Sequence, residues 1–327
     1  MPHGWIILDK PLGLGSTQAV AAVKRNLREA GYGKVKVGHG GTLDPLAEGV
    51  LPIAVGEATK LAGRMLDASK VYAFTVQFGT ETDTLDAEGE VIAQSDRRPP
   101  MAAIAAVLSH FTGEIEQVPP AYSAIKVDGR RAYDRARAGE DVAIKSRQVT
   151  ILSLALANGY DAAELPDSTF ATTFGRPDPY NPEAPLELAD SVTLRAHVSK
   201  GTYIRSLARD IAHALGTVGH VTFLRREKAG PFSETEAISL DKLNEIGKGA
   251  PLEDVILPLE AGLDDIPALD LDPEAAVAVR QGRVLSGLPQ GDGLYWARSG
   301  TVPVALMQVI AGTAKVVRGF NLSDVAE

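Results

Sequence analysis

The chain has no cysteine. That absence removes disulfide frameworks, thiolate metal sites and cysteine nucleophiles together. Long apolar runs are missing too, and nothing approaches the ~18 consecutive apolar residues that a membrane span needs. The run nearest the start, Trp5 to Leu8, is short, ends on Asp9 and lacks a preceding basic stretch, so it does not read as a signal peptide. The six histidines stand at 3, 39, 110, 197, 213 and 220, with no pair at the i, i+4 spacing of a helical metal site. Nothing in this spacing argues for a metal. The expectation is a cytoplasmic protein away from membranes.

A surplus of positive charge is also lacking. The net charge is −9, which on its face argues against a nucleic-acid partner. Distribution reverses that inference. Residues 158–190 carry seven acids and one base, and residues 251–327 carry eleven acids and five bases, so each segment holds −6 and the remainder +3. The bases of the remainder cluster at Lys24, Arg25, Arg28, Lys34 and Lys36, at Lys126, Arg130, Arg131, Arg135 and Arg137, and at Arg205, Arg209, Arg225, Arg226 and Lys228. A local basic face, not the total, is what binds phosphate. Solvated helix faces would produce the same counts.

The 327 residues suggest about two domains. After the turn-rich Lys10-Pro11-Leu12-Gly13, Ser16 has the character of a helix N-cap, and Val20, Val23 and Leu27 form an apolar stripe that ends at Gly31. Residues 50–55 read as a strand, and residues 71–78 alternate, with Tyr72, Phe74, Val76 and Phe78 on one face. Pro99-Pro100 opens a helix striped by Met101, Ile104, Leu108 and Phe111. Val192, Leu194, Ala196 and Val198 form another strand, which leads into a helix striped by Ile204, Leu207, Ile211 and Leu215. Strands mixed with helices, without strict alternation, predict an α+β fold. Residues 158–190 lack periodicity and read as an acidic surface insertion. Beyond a Gly/Pro/acid-containing connector at 245–268, a short helix over 273–281 and strands at 293–298, 303–310 and 314–320 predict a small β-rich domain over 265–327, following a first domain over 1–250. A hairpin is expected around Ala311-Gly312-Thr313.

The segment richest in chemistry runs from Gly38 to Lys60, GHGGTLDPLAEGVLPIAVGEATK. Three glycines in four residues admit φ > 0 and close backbone approach. Pro45 pushes Asp44 toward an extended conformation. An acid held stiffly in such a loop suits a nucleophile or a base. By itself, Asp-Pro is more often a turn cap. The Gly-Lys-Ser/Thr ending of a phosphate loop is missing, as is the GxGxxG spacing of a dinucleotide site. Tyr72 alone reads as core, and Arg205 as a helix-face cation. Arg205 also stands i, i+4 from Arg209, a like-charge pair that asks for an anionic partner. Asp83, Thr84 and Asp86 do not fit the spacing of an EF-hand loop.

Read whole, Gly38-His39-Gly40-Gly41-Thr42-Leu43-Asp44-Pro45-Leu46-Ala47 resembles the signature loop of the TruB-type tRNA pseudouridine-55 synthases. Further matches follow in order. They are Leu8-Asp9-Lys10-Pro11, Gly56-Glu57-Ala58-Thr59-Lys60, Lys70-Val71-Tyr72, Thr82-Asp83-Thr84 with Asp86 and Gly89, Pro119-Pro120 with Tyr122-Ser123-Ala124 and Lys126, Ser199 to Arg205, and Leu224-Arg225-Arg226. The resemblance spans about residues 4–245. It implies a pseudouridine synthase fold with a mixed, largely antiparallel sheet, a tRNA T-arm substrate and no cofactor. It also implies roles. Asp44 takes the place of the catalytic aspartate, with attack at C6 or at C1′ left open. Tyr72 matches the tyrosine that stacks on the extruded uracil, and Arg205 the arginine that pairs with the carboxylate. His39 matches the histidine that fills the place the uridine leaves, and Tyr203 and Leu224 match pocket-lining residues. Lys10 and Pro11 read as structural.

Two features depart from the pattern. The acidic insertion is longer than the family usually carries, and the last segment resembles a PUA-like domain only loosely, around residues 279–285. A monomer is expected. The competing readings are a tRNA-binding folding chaperone without catalysis on the same scaffold and a metabolic enzyme using the glycine loop for a nucleotide phosphate.

Overall fold

The computed structural model describes residues 1–123, 125–127, 129–140, 144–157, 186–247 and 252–322. Most of the acidic insertion, residues 158–185, lies outside them. The chain divides into two compact units that do not follow its linear order. One comprises Met1–Asp44, Gly49–Asp67 and Ala229–Glu327, the other Pro45–Glu48 and Ala68–Lys228.

In the first unit the apolar run near the start becomes the strand Gly4–Lys10, buried on both faces from Trp5 to Leu8. It pairs antiparallel with Glu48–Val55 along its whole length, from Gly4 opposite Val55 to Lys10 opposite Gly49. The short strand Val37–His39 adds to the other side of Glu48–Val55. Trp5 anchors the core here. Its indole N–H donates to the Leu259 carbonyl at 3.1 Å, and its ring lies 5.3 Å from that of Phe232. A side chain at Gly262 would come within 2.8 Å of that indole.

The helix Ser16–Glu29 differs from its expected form in two ways. Its capping residue is Gly15, whose N–H is satisfied by the Gln18 side chain at 2.8 Å, because the Ser16 hydroxyl is engaged elsewhere. Its buried face runs through Ala19, Ala22, Val23, Asn26 and Leu27, leaving Val20 at the margin. Asn26 can enter an apolar stripe because its amide donates to the Ala22 carbonyl and to Asn244 Oδ1, so burial costs no unsatisfied donor.

The C-terminal β region forms a five-stranded sheet in the order 268–270, 293–299, 302–310, 313–319 and 285–286. The expected hairpin is present. Ile310 pairs with Thr313, and Ala311 (φ 48°) and Gly312 (φ 71°) make a two-residue turn with both central residues left-handed, the geometry that matches strand twist. This sheet has its own core around Leu269, Val279, Met307 and Val309, while Leu306 and Phe320 join the cluster around Trp5. Its last strand is tied down at Glu57, which accepts from Lys60 Nζ and from the Asn321 N–H, each at 2.6 Å. Burial alone would raise the Glu57 carboxyl, but those hydrogen bonds outweigh it and hold the pKa below its ordinary value. A depressed carboxylate contributes stability above its unfolded pKa, and the contribution is lost as pH falls through the folded value. Amide exchange at Asn321 is therefore expected to accelerate below the ordinary carboxylate range in the native chain. In Glu57→Ala, which leaves no acceptor, it should be fast already at neutral pH, without that acid-dependent step.

The second unit is a sheet in the order 219–229, 70–78, 191–198, 147–156 and 113–117, with the last three pairings antiparallel. Phe74, Val76 and Phe78 are buried as the alternation predicts, together with Val192, Leu194, Ala196 and Val198 from the neighbouring strand. The helices Met101–Val107 and Ile204–Ala214 contribute Ile104, Ile204, Leu207 and Ile211 to this one core. The fold class is α+β, as the mixture of periodicities implies.

Candidate active site

The glycine-rich loop is positioned within the first unit by backbone hydrogen bonds that ordinary strand pairing does not supply. Val37–His39 runs antiparallel to Glu48–Val55, and the Gly40 N–H continues that ladder by donating to the Pro52 carbonyl at 2.8 Å. Gly40 has no room for a side chain, since a Cβ would stand 2.6 Å from the Met65 Cβ. Gly40→Ala is expected to cost about 1–3 kcal/mol by overpacking, checked by urea titration. Met65→Ala should not relieve it, because the offending atom is the Cβ that alanine keeps. Past Gly41 (φ 143°), Leu43 is buried, and both of its backbone groups bond the Ser16 hydroxyl. Asp44 follows, half-buried, and His39 is likewise half-buried earlier in the loop.

Lys10 is fully buried, and its ammonium donates to the carbonyls of Pro11 at 3.0 Å and Leu14 at 2.7 Å. It bridges the turn ahead of the Ser16–Glu29 helix, in keeping with a structural role.

Tyr72, Tyr203, Arg205 and Leu224 stand in the second unit. Tyr72 and Leu224 sit on neighbouring strands, and both pack half-buried against the same core. Tyr203 is the residue ahead of the Ile204–Ala214 helix. The fully buried Gln117 amide clamps its backbone both ways, accepting the Tyr203 N–H at 2.8 Å and donating to its carbonyl at 3.1 Å. The Arg147 guanidinium lies over the Tyr203 ring, 4.8 Å from its centroid.

Arg205 is buried rather than displayed on the helix face. Its guanidinium meets the Asp86 carboxylate at 3.1 Å and donates to the carbonyls of Thr84 at 2.7 Å and Tyr122 at 3.0 Å. Arg209 has separate acceptors, Asp210 and the Val118 carbonyl. The like-charge pair is thus resolved with an anion for each member. Asp86 is fixed in turn: its Oδ1 accepts from the Thr84 hydroxyl at 2.6 Å and from the Glu88 N–H at 3.1 Å. Gly89 makes this tight loop possible, since a Cβ there would fall 2.3 Å from Asp83 Oδ1. The Tyr122 phenol is held above its ordinary pKa by its hydrogen bond to Asp83 and by burial.

The sequence alone did not single out Asp86, Gln117 or Ser16 as members of this machinery. Asp86 could have been found from the Arg205–Arg209 spacing, which demands an anion without saying which. For Gln117 and Ser16 no local signal exists, because their partners are backbone groups 86 and 27 residues away.

The basic clusters also divide. Lys24, Arg25, Arg28, Lys34 and Lys36 are exposed, whereas Arg226 is buried and Arg225 meets Glu48 at 3.2 Å. Part of the apparent basic face is internal. Among the described residues no helix is long and apolar enough to cross a membrane.

The architecture is that of the pseudouridine synthases. Over 98% of its length the chain superposes on 84% of a chain in a solved Cbf5-Nop10-Gar1 complex, with TM-score 0.64 and 26% identity. A chain of an H/ACA RNP bound to a substrate RNA containing 2′-deoxyuridine is matched over 98% of this chain and 86% of its own, with TM-score 0.66 and 24% identity. A family model described as TruB family pseudouridylate synthase, N-terminal domain, matches residues 27–174, and one described as the tRNA pseudouridylate synthase B C-terminal domain matches residues 205–264. The tRNA pseudouridine synthase B of Novosphingobium aromaticivorans is 69% identical over 327 residues, the whole of both chains. That of Zymomonas mobilis is 55% identical over 319 residues, 98% of this chain and 96% of its own. The chain belongs to the TruB family of pseudouridylate synthases.

Proposed function

We propose that this protein isomerises a uridine of tRNA to pseudouridine, at position 55 in the T loop, with Asp44 as the reacting carboxylate. The observation that carries the reading is the loop itself. A half-buried acid ends a segment whose backbone is held at Gly40 by Pro52 and at Leu43 by Ser16, so the chain that carries its carboxylate is fixed before any substrate arrives. Preorganisation of that kind is what lets a weak nucleophile work.

The reaction breaks the N1–C1′ bond of the nucleoside, joins C5 to C1′, releases the C5 proton and places a proton on N1, so the product is an isomer of the substrate. It changes no oxidation state and needs no group donor. Reaching the base requires unstacking it, at a cost of a few kcal/mol. Tyr72, in this reading, returns about 1–3 kcal/mol by stacking. The same proposal gives Arg205 the role of countercharge to the carboxylate, His39 that of filling the space the uridine vacates, and Tyr203 and Leu224 that of lining the pocket. The assignment of residues 1–250 to catalysis and of 265–327 to a small accessory β domain belongs to the same proposal, as does action in the cytoplasm as a monomer.

Release of tritium from C5-labelled T-arm hairpins tests the reading. Stoichiometric release is expected from hairpins carrying the target uridine, and none when the label sits only at other uridines. Affinity for mononucleotides with indifference to the hairpin would favour a metabolic enzyme instead. Tight hairpin binding with no release would favour a folding chaperone.

A further inference from the structure

We infer that Ser16 is a positioning residue for the proposed catalytic carboxylate: its hydroxyl closes a two-way clasp on the backbone of Leu43, the residue immediately before Asp44. The inference rests on the assignment of Asp44 as the reacting group. The Ser16 Oγ accepts the Leu43 N–H at 2.8 Å and donates its own proton to the Leu43 carbonyl at 2.9 Å. Both residues are buried, with Ser16 4% and Leu43 4% exposed. A single hydroxyl thus reproduces what a strand neighbour would give, an exchanged pair of bonds on one residue, at a place where the loop has left its ladder.

The clasp has a rigid base. Ser16 is the first residue of the helix Ser16–Glu29, whose Ala19, Val23 and Leu27 are buried and whose Asn26 is bonded to Ala22 and Asn244. A serine at a helix start ordinarily turns its hydroxyl back on its own first turn. Here Gly15 and Gln18 serve the helix end, and the hydroxyl is free to reach 27 residues along the chain. On the far side of Asp44, Pro45 restricts the backbone. Between a clasped Leu43 and a ring-locked Pro45, the φ and ψ of Asp44 have little freedom, and the direction of its side chain follows. Without the hydroxyl, Leu43 keeps its burial but loses the bonds that set its peptide planes. Misplacement of a reacting group by about 1 Å is enough to cost about 10²-fold in rate.

Four proteins are compared by single-turnover tritium release at saturating T-arm hairpin, with hairpin affinity and thermal midpoint measured alongside: native, Ser16→Ala, Ser16→Thr and Thr17→Ala. Ser16→Ala is expected to lower the rate by about 10²-fold while hairpin affinity holds. Ser16→Thr keeps the hydroxyl and should recover most of the rate. Thr17→Ala, an exposed neighbour on the same helical turn, should leave the rate unchanged. Trimethylamine N-oxide separates positioning from plain stability, because it restores compactness without replacing a hydroxyl. The Ser16→Ala rate should stay low in its presence even as the midpoint recovers. A Ser16→Ala rate equal to the native one, or one that recovers in step with the midpoint, overturns the inference. Asp44→Asn run in parallel distinguishes the two failures. If Asp44→Asn is inactive and Ser16→Ala is native-like, only the clasp is wrong. If Asp44→Asn keeps turning over, the assignment of the carboxylate fails and takes the clasp with it.

Discussion

Asp44→Asn is expected to lower tritium release from T-arm uridine by at least about 10⁴-fold, the scale on which removal of a nucleophilic residue acts elsewhere, while hairpin affinity changes by no more than about threefold, under 1 kcal/mol. Asparagine keeps the size and shape of aspartate, so the clasped backbone on one side and Pro45 on the other should be undisturbed. What it removes is the carboxylate oxygen to which the proposal assigns the reaction. The split between rate and affinity is the informative part. A residue that only capped a turn would leave the rate near native when replaced by its amide, since asparagine caps turns equally well. A residue needed mainly to bind RNA would weaken affinity in parallel with rate. Persisting turnover in this variant rejects Asp44 as the reacting group.

The second large effect is structural and centres on Asp86. Its carboxylate faces the Arg205 guanidinium at 3.1 Å with both side chains about nine-tenths buried. Removing one member of a buried ion pair typically costs about 3–5 kcal/mol, because the surviving charge stays in a place poor in water. Exposed pairs behave differently. Arg64 with Asp265, and Arg98 with Asp190, join partners of which the acid is largely in solvent. Such pairs contribute ~0–1 kcal/mol each, so the effect of Asp86→Ala should exceed that of Asp265→Ala several-fold in urea titrations. Asp86→Asn makes the comparison sharper. It keeps an acceptor for the Thr84 hydroxyl and the Glu88 N–H but turns an amide N–H2 toward the guanidinium. Most of the loss should therefore persist in it. An Asp86→Asn variant as stable as the native chain would mean that the loop bonds, and not the charge pair, hold this region.

How far each conclusion was legible in the chain depends on the range of the interactions behind it. The strands at 70–78 and 191–198 and the helix at 204–214 were readable because burial repeats with period two or near 3.6 along a few consecutive residues. The hairpin at Ala311-Gly312 was readable because a two-residue turn of this kind needs left-handed backbone that few residues accept. Asp44, His39, Tyr72, Tyr203, Arg205 and Leu224 could be proposed as site residues because they lie in short contiguous motifs. The expected role of Ser16 did not survive. As a helix cap it obeys a local rule, but a carbonyl and an amide brought close by the fold competed for its one hydroxyl and won. Val20 likewise lost its expected place to Asn26, once Ala22 and the half-buried Asn244 supplied acceptors for its amide.

By itself, then, the order of residues determined the fold class and the family and pointed to the loop proposed to react, since each is written in local periodicity or in contiguous motifs. It also excluded thiol chemistry by composition alone. The tertiary structure decided which distant partners the buried polar side chains meet. Arg205 reaches Asp86, Gln117 holds Tyr203 and Ser16 holds Leu43 across 119, 86 and 27 residues of chain. A hydrogen bond or ion pair between such distant positions leaves no periodic trace, because its partner is set by how elements pack and not by spacing along the chain.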